Sequence, residues 1–286
     1  MNEGRPIEKD MSAKLRRYWN EVAGPRWVAH QGFQERRLES VNERLLAGAA
    51  PAPGERVLEI GCGTGATTAP LAAAVGMSGR VLAVDISAPM LAAARRRLEE
   101  GSPQVRFLLA DAATQRFERE CFDLVVSRFG LMFFADPAAA FGNLLAASRR
   151  GGRLVFACWA PLAENPHWLI PYEVALRHLG PPPPPAPHAP GPLSLSDPDH
   201  VEAILRKAGF ENITIRRERF AVMGSTPEEE TEHAMAMGPP ATLIEEKKPS
   251  DEVRERIRRE MVVAFAACGR KELPATLFLV SSRRPR

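Results

Sequence analysis

The chain has 286 residues, of which 45% are hydrophobic and 26% charged, as expected for a globular protein with one large domain or a domain with a cap. The net charge of +3 is too small to favour nucleic-acid binding, for which basic residues should cluster on one face. Four cysteines without paired spacing argue against a metal site or a disulfide framework. Because the charged N-terminus does not resemble a signal peptide and no membrane span is evident, we expect a soluble, cytoplasmic protein.

The first 50 residues precede the first strand pattern. Apolar residues at helical spacing predict a helix from Ser12 that is broken at Gly24-Pro25, and a second helix over about Trp27–Ala47. We interpret residues 1–50 as an N-terminal helical lid.

A glycine-rich loop follows the first predicted strand. The apolar run Val57–Ile60 leads into Gly61–Gly65, with glycine at alternate positions. Glycine is needed where a turn takes positive φ and where backbone lies against a ligand. A second apolar run, Arg80–Val84, ends in Asp85, whose carboxylate is placed to accept hydrogen bonds from two ribose hydroxyls. The pattern predicts a nucleoside-containing cofactor at the carboxyl ends of a parallel sheet.

The spacing of the loop discriminates between cofactors. A dinucleotide site requires G-x-G-x-x-G, whereas this loop reads G-x-G-x-G after Glu59, a carboxylate that suits an ammonium or sulfonium group better than a pyrophosphate. The run from Glu59 to Gly65, together with Asp85, resembles motif I of the class I S-adenosylmethionine-dependent methyltransferases. The resemblance implies that the loop wraps the methionine part of S-adenosylmethionine and that Asp85 binds its ribose.

The third and fourth predicted strands extend this resemblance. Val105–Ala110 leads to Asp111, at the place of the acid that contacts the adenine amino group in the family. Phe122–Ser127 ends beside the position of the transferred methyl group. The cofactor-binding residues implied in this way, with two tryptophans of the lid, are Glu59, Gly61, Cys62, Gly63, Gly65, Asp85, Ile86, Met90, Asp111, Ala112, Ser127, Trp19 and Trp27.

The strand pattern predicts an α/β fold. Five strand–helix units, the fifth strand being Gly151–Trp159 after a Gly-Gly turn, argue for a doubly wound parallel sheet. Asn212–Phe220 and Ala275–Ser281 add two strands, and the resemblance implies that the last is antiparallel and inserts between strands five and six. We therefore expect a Rossmann-like, seven-stranded, mostly parallel sheet over residues 51–224 and 273–286.

Two segments lie outside this sheet. The proline-dense stretch after strand five is predicted to be a stiff extended connector, with the next helix over His200–Ala208. Residues 225–272 are interpreted as a helical cap insertion with one amphipathic helix, which Ser250 caps and Gly269 ends.

Few residues qualify for the chemistry of methyl transfer. His167, predicted to lie in a loop after strand five, is a candidate general base or a structural residue. Arg128 could orient a carboxylate or carbonyl on the acceptor. Apolar candidates for the substrate pocket, which could equally be packing residues, are Phe129, Met132, Phe133, Trp159 and Trp168. Trp19 and Trp27 could cover the sulfonium or pack on the sheet edge.

The arrangement most resembles bacterial small-molecule methyltransferases, including the ubiquinone/menaquinone-biosynthesis C-methyltransferases. It implies an enzyme of class EC 2.1.1 that transfers a methyl group to an O, C or N atom of a small, partly apolar organic acceptor. A non-catalytic S-adenosylmethionine-binding regulatory or assembly protein is the alternative. A nicotinamide-dependent oxidoreductase is opposed by the loop spacing and by Glu59. Monomer and homodimer both remain open.

Overall fold

The structure is a computed structural model that describes residues 6–98, 101–184, 186–223, 226–269 and 272–286. The predicted domain boundary at residues 224–225 lies outside this part. Within it, seven strands form one sheet: β1 Arg56–Ile60, β2 Arg80–Asp85, β3 Val105–Leu109, β4 Phe122–Arg128, β5 Ser148–Trp159, β6 Glu211–Met223 and β7 Glu272–Arg283.

The strands lie in the order β3-β2-β1-β4-β5-β7-β6. The first five pair in parallel, whereas β7 is antiparallel to both β5 and β6. The last strand in the chain therefore inserts between the fifth and sixth, and the predicted Rossmann-like α/β fold is confirmed.

The strand order reverses at β1, which pairs with β2 on one side and with β4 on the other. Loops leaving neighbouring strands diverge at such a switch point and leave a crevice outside the carboxyl ends of the strands. The register aligns Ile60 with Val84 and Asp85 with Leu109. The loops that follow β1, β2 and β3 therefore emerge at the same edge of the sheet.

Helices precede, connect and follow these strands. Those of the described residues are α1 Pro6–Tyr18, α2 Gly24–Ala29, α3 Gln31–Arg37, α4 Glu39–Ala49, α5 Thr68–Val75, α6 Ala88–Leu98, α7 Pro137–Ala147, α8 Pro166–Leu179, α9 Pro198–Ala208, α10 Pro227–Ala236, α11 Gly238–Lys247 and α12 Asp251–Ala267.

The N-terminal region differs from the prediction of two helices separated at Gly24-Pro25. A π-helical turn, Trp19–Ala23, continues α1 into α2, and the Gly24 N–H donates to the Trp19 carbonyl five residues earlier. Pro25 supplies no N–H for an ordinary helical bond, so the chain takes up an extra residue in the turn instead of breaking. The predicted second helix is wrong as one element, because α2, α3 and α4 occupy its place.

The connection between β3 and β4 also departs from the prediction of five strand–helix units. No helix lies between these strands in the described residues. β3 is an edge strand in which every residue is at least partly exposed, and Leu109 at its end is 51% exposed. An edge strand of this kind does not need a covering helix on both faces, although its apolar sequence resembles that of a buried one.

β5 begins earlier than the sequence indicates. The Gly-Gly pair at Gly151 lies inside the strand, where φ is +72° and the pairing with β4 shifts register between Phe122 and Leu124. Glycine adopts this unusual backbone conformation at low cost. The predicted turn is therefore an irregularity within the strand, where β5 advances from Ser148 to Arg153 while β4 advances only from Phe122 to Leu124.

Two helical regions follow β5 in the chain. α8 lies between β5 and the proline-dense stretch, where the sequence analysis predicted no helix, and it has Pro171 inside it. The 225–272 segment contains α10, α11 and α12, of which the sequence predicted only the last, capped by Ser250 as expected. These three helices pack on α8 and on each other.

Candidate functional site: a two-ended cavity at the strand ends

A cavity of about 2120 Å³ opens at the carboxyl ends of the parallel strands. Pockets for a single small molecule usually enclose roughly 300–1,000 Å³. This cavity therefore has room for two ligands side by side. Its walls come from the sheet, from the N-terminal helices and from the helices that follow β5.

Most of the site residues predicted from the sequence line this cavity. They are Trp19, Trp27, Gly61, Cys62, Gly63, Asp85, Ile86, Met90, Asp111, Ala112, Arg128, Phe129, Met132, Phe133, Trp159, His167 and Trp168. Glu59, Gly65 and Ser127 do not.

These three residues instead make contacts on the side of the glycine loop that faces away from the cavity. Glu59 accepts a hydrogen bond from Thr68 Oγ1 at 2.6 Å, and burial raises the pKa of its carboxyl to about 7. Ser127 Oγ donates to the Ile60 carbonyl at 2.8 Å. A Cβ on Gly65 would lie 3.1 Å from Leu98 Cδ1, so this glycine allows close packing on α6.

Glycine is required at position 61 because of a backbone contact. Its φ is +69°, and a Cβ there would lie 2.7 Å from the Cα of Gly130, in the loop after β4. Gly130 is equally constrained, because its Cβ would lie 2.7 Å from the Ile60 carbonyl oxygen. Two glycines in separate loops thus let the backbones touch at the switch point. The sequence analysis missed the role of Gly130.

Asp85 shapes the loop that it faces. Its two carboxylate oxygens accept hydrogen bonds from the Gly63 and Ser87 N–H groups, each at 2.8 Å. Burial raises the pKa of the Asp85 carboxyl, and these hydrogen bonds oppose the rise. Asp85 therefore holds the glycine loop and the start of the next loop in one arrangement, and still lines the cavity.

The N-terminal helices are tied to this end of the cavity by hydrogen bonds. Ser12 Oγ donates to Asp111 Oδ2 at 2.5 Å, and Ser87 Oγ donates to the Trp19 carbonyl at 2.9 Å. Asn20 donates to the carbonyl of Ile86 and accepts from the backbone N–H of Ala88, both at 2.9 Å. Ser12 and Asn20 were not candidates, because nothing in a helical pattern marks a polar residue as a tether.

Arg128 places a guanidinium group at the cavity beside the glycine loop. Burial lowers its pKa to about 10, and the nearby Glu59 carboxylate opposes the shift, so the group is charged at neutral pH. Its Nη1 atom is buried and has no hydrogen-bond partner within the described ranges. A buried donor of this kind is costly unless a ligand completes it.

Aromatic rings line the other end of the cavity, next to β5. Phe129 has a φ of +63°, unusual for a bulky residue, and its ring stacks on Trp159 at 4.4 Å with an interplanar angle of 5°. Trp168 lies 4.8 Å from Trp159 between ring centroids. Strained backbone of this kind persists only where the surroundings fix it, and such residues cluster at functional sites.

His167 lies in this aromatic end, but not in the predicted loop. It is the second residue of α8 and is only 4% exposed. Its ring donates to the Pro274 carbonyl, and Nδ1 has no partner among the residues described, so the donor is Nε2 and Nδ1 carries a lone pair. Burial lowers its pKa well below the usual range, and the Arg37 charge adds to the effect.

A second histidine and a buried ion pair complete this end. Arg37 of α3 donates to both carboxylate oxygens of Glu230 of α10 at 2.5 Å, and both side chains are almost fully buried. His233, one turn further along α10, lines the cavity with its Nε2 buried and unpartnered in the described part of the chain. Burial and the charge of Arg37 lower the pKa of His233 to about 3. The sequence analysis assigned no chemistry to these three residues.

A search of the described residues finds no group of three or more histidine, cysteine or acidic side chains that could hold a metal ion. Across those same residues, every helix is too short or too polar to cross a bilayer.

Comparison with known proteins supports the interpretation of the glycine loop. Residues 57–152 match the model of a family described as a methyltransferase domain. Aklanonic acid methyltransferase from Streptomyces sp. (strain C5) is 36% identical over 117 residues, which cover 41% of this chain and 53% of that protein. Demethylmenaquinone methyltransferase from Clavibacter sepedonicus is 41% identical over 106 residues, 37% of this chain and 42% of that protein. The chain thus spans about half the length of the curated relatives that it matches.

The fold is similar to that of a solved methyltransferase. Phosphoethanolamine N-methyltransferase 2 of Haemonchus contortus, in complex with phosphomonomethylethanolamine and S-adenosylhomocysteine, superposes with a TM-score of 0.53 and 21% identity. The alignment covers 86% of this chain and 53% of that one. The matched segment 57–152 contains the glycine loop, Asp85, Asp111 and the end of β4. Over residues 57–152 the chain is therefore similar to a methyltransferase domain, in agreement with the resemblance of its motifs.

Proposed function

We propose that the protein is an S-adenosylmethionine-dependent methyltransferase of class EC 2.1.1 that acts on a small, partly apolar organic acceptor. One observation carries the proposal. A single cavity joins the glycine loop, Asp85 and Asp111 at one end to an apolar, aromatic compartment at the other. Such a cavity suits an enzyme that must hold a cofactor and an acceptor in contact.

The residues at the first end fit S-adenosylmethionine. Its ribose needs an acceptor of hydrogen bonds, for which Asp85 is placed, and Asp111 offers a carboxylate oxygen to the adenine amino group. Its methionine carboxylate needs a cationic donor, and the unpartnered Nη1 of Arg128 beside the loop supplies one. This assignment moves Arg128 from the acceptor, where the sequence analysis placed it, to the cofactor. When bound, S-adenosylmethionine supplies a methyl group activated by a sulfonium.

The chain's own contribution is then to align the cofactor with the acceptor and to enclose both. Trp19 and Phe133, whose rings meet edge to face at 5.0 Å between centroids, lie between the N-terminal helices and the loop after β4. Together with Trp159 they can exclude water from the transfer site and face a positively charged group with aromatic rings. Holding two reactants in a reactive geometry is itself a large part of the rate enhancement in bimolecular reactions.

Calorimetric titration with S-adenosylhomocysteine and, separately, with NAD tests the cofactor assignment. We expect S-adenosylhomocysteine to bind and NAD not to bind, and we expect Asp85→Ala to weaken the binding at least about tenfold, the equivalent of roughly 1.4 kcal/mol. Binding of NAD alone, or equal affinity in the variant, would contradict the proposal.

Release of S-adenosylhomocysteine from S-adenosylmethionine across a panel of acceptors then tests turnover. A protein that binds the cofactor tightly but turns over none of the panel would favour the regulatory or assembly alternative. A cytoplasmic location, which we also propose, is supported by four free cysteines, three of them buried.

A further inference from the structure

A strap of chain, residues 186–194, contributes Pro190 and Gly191 to one wall of the cavity. The strap is rich in proline, which has no backbone N–H, so it can donate few hydrogen bonds. Within the described chain, the hydrogen bonds that join it to the remaining structure end on one atom, the Met132 carbonyl oxygen. This oxygen accepts from the Gly191 N–H at 3.0 Å and from Ser194 Oγ at 2.5 Å. The first half of the strap must be held in another way.

An aromatic contact holds this first half of the strap to helix α9. The ring of His188, the one titratable residue of the strap, stacks on the ring of His200 in α9. The ring centroids are 3.6 Å apart and the interplanar angle is 8°. The φ of His188 is +55°, a left-handed conformation that a residue other than glycine keeps only where its surroundings fix it. The stack with His200 accounts for this conformation.

The closed strap accompanies a buried nitrogen that can bind a proton. Nε2 of His200 is buried and has no hydrogen-bond partner among the residues described. A proton on it would create a charged N–H without an acceptor, beside a second imidazole that can also become charged. Burial and the proximity of His188 accordingly lower the pKa of His200, and the Asp197 carboxylate opposes the shift. Protonation therefore favours an arrangement in which this nitrogen reaches water.

Charged groups on the surrounding elements do not remove this penalty. α7, which packs along α9, has no titratable side chain, and Asp136 at its start accepts the Ala139 N–H. Asp197 already accepts the N–H groups of Asp199 and His200 as the cap of α9. The other charged residues on α9 and on β6, which packs against it, are Asp199, Glu202, Arg206, Lys207, Glu211, Arg216, Arg217, Glu218 and Arg219. These five basic and four acidic side chains supply no net negative charge.

We propose that the strap is a pH-sensitive gate of the cavity, closed on α9 while His200 is neutral and released when His200 takes up a proton. Release hydrates the buried nitrogen and frees the left-handed backbone of His188, and the bonds to the Met132 carbonyl break as the strap moves away. Ligands would then enter and leave the cavity more readily in a mildly acidic medium. The inference goes beyond the proposed function, because it does not depend on which ligands the cavity holds.

Hydrogen exchange of the Gly191 amide measures the opening, because this N–H is bonded to the Met132 carbonyl while the strap is closed. Its protection factor is determined at about pH 7.5 and about pH 5.5, after correction for the intrinsic pH dependence of exchange. We expect a fall of about fivefold to tenfold, the effect of one proton that the open strap binds near pH 6.5 and the closed strap does not. The Gly61 amide, bonded to the Val84 carbonyl, is the internal reference and should not change.

Three variants identify the residues responsible. His200→Phe keeps a flat ring for the stack but cannot bind a proton, so the protection of Gly191 should be the same at both pH values. His188→Asn tolerates the left-handed backbone but removes the ring. Its protection of Gly191 should be low at both pH values. His30→Phe is the matched control, because His30 follows α2 and lies outside the cavity lining, and it should keep the pH dependence of the wild type.

Equal protection of Gly191 at the two pH values in the wild type, or a pH dependence that His200→Phe retains or His30→Phe loses, would overturn the inference. Wild-type protection in His188→Asn would overturn it as well. If Gly61 loses protection in step with Gly191, the sheet is opening instead of the strap, and the inference is again wrong. All these outcomes are independent of the proposed function, which the titration with S-adenosylhomocysteine tests separately.

Discussion

The two ends of the cavity are built in different ways. The end at the glycine loop, which we propose as the cofactor end, is made mainly of backbone: glycines at positive φ, loops touching at Gly61 and Gly130, and N–H groups held by Asp85. The aromatic end, which we propose as the acceptor end, is made of side chains that meet from distant parts of the chain, namely Arg37 from α3, His167 from α8 and His233 from α10.

This difference teaches where each end derives its specificity. A backbone site recognises a ligand whose shape does not change, and it tolerates little substitution because glycine has no substitute at these angles. The chemistry of a site made of side chains can change when one helix is replaced by another. The same domain can therefore keep one cofactor and accept different substrates through its helical segments.

The largest expected effect is on the acceptor end, at the buried ion pair. Arg37→Met removes the cation that donates to both buried carboxylate oxygens of Glu230, which should lower the free energy of unfolding by about 3–5 kcal/mol. Urea denaturation measures the change. The double variant Arg37→Met with Glu230→Leu should recover most of the loss, because it removes both charges of the pair. A double variant no more stable than Arg37→Met would contradict this account.

Gly61→Ala tests the cofactor end of the cavity. The new methyl group meets the Gly130 backbone at a φ that alanine rarely adopts, so we expect a loss of about 2–4 kcal/mol in stability and loss of S-adenosylhomocysteine binding. Thermal unfolding and calorimetry provide the two readouts. Gly142→Ala in α7 is the control, since nothing lies within 4 Å of its Cβ position. It should stabilise the protein by about 0.5–1 kcal/mol.

Acidification should weaken the acceptor end in particular. His233 has a pKa of about 3 in the folded protein, below its ordinary value of 6.5, so below pH 6.5 the unfolded chain binds a proton that the folded chain does not. Stability is lost as the pH falls, at about 1.4 kcal/mol per pH unit for one such group. Glu59, with a pKa raised to about 7 from 4.5, acts in the opposite direction between these values.

A comparison of wild type with His233→Phe isolates the histidine, because the Glu59 contribution is common to both. The stability of the wild type relative to the variant should fall by about 1.4 kcal/mol per pH unit between about pH 6 and pH 4. Urea denaturation at a series of pH values measures this difference. Parallel pH profiles for the two proteins would show that His233 is already protonated in the folded state.

The smallest effect is expected at the tether between the N-terminal helices and the cofactor end. Asn20→Ala removes two hydrogen bonds to the loop after β2, each with a net contribution of about 0.5–1.5 kcal/mol. Hydrogen exchange of the N-terminal helices should accelerate, while that of the central strands should not change. Met11→Ala, at a partly exposed position of α1, is the control. Equal hydrogen-exchange rates of the N-terminal helices in the two variants would contradict the role of Asn20 as a tether.

The glycine loop and the acids beside it could be predicted from the sequence, because local motifs determine them, and their role as a cofactor site stays a prediction. The loop Gly61–Gly65 and the acids at the ends of strands two and three are each readable within a few residues. What could not be read is which of these residues face the cavity: Glu59 and Ser127 belong to the motif region but lie behind the loop. Side-chain direction at a strand end depends on the twist and on the neighbouring loop.

The acceptor end could not be predicted for a different reason. Its residues are separated by long stretches of chain, and no periodicity records that α3 and α10 meet. His167 was a candidate, but it was predicted to lie in a loop, because the prolines at positions 166 and 171 do not suit a helix interior. Nothing in the sequence marks Arg37 and Glu230 as a buried pair, because charged residues are mostly exposed.

The ion pair also has a consequence for the order of events while the chain is being made. Arg37 and Glu230 are 193 residues apart in the sequence. At a synthesis rate of about 5–20 residues per second, Arg37 waits roughly 10–40 s for its partner to leave the ribosome. During that time the five parallel strands and the glycine loop are already made, whereas β7, which inserts between β5 and β6, is made after Glu230. The sheet and the ion pair are therefore both completed only when the last part of the chain has been synthesised.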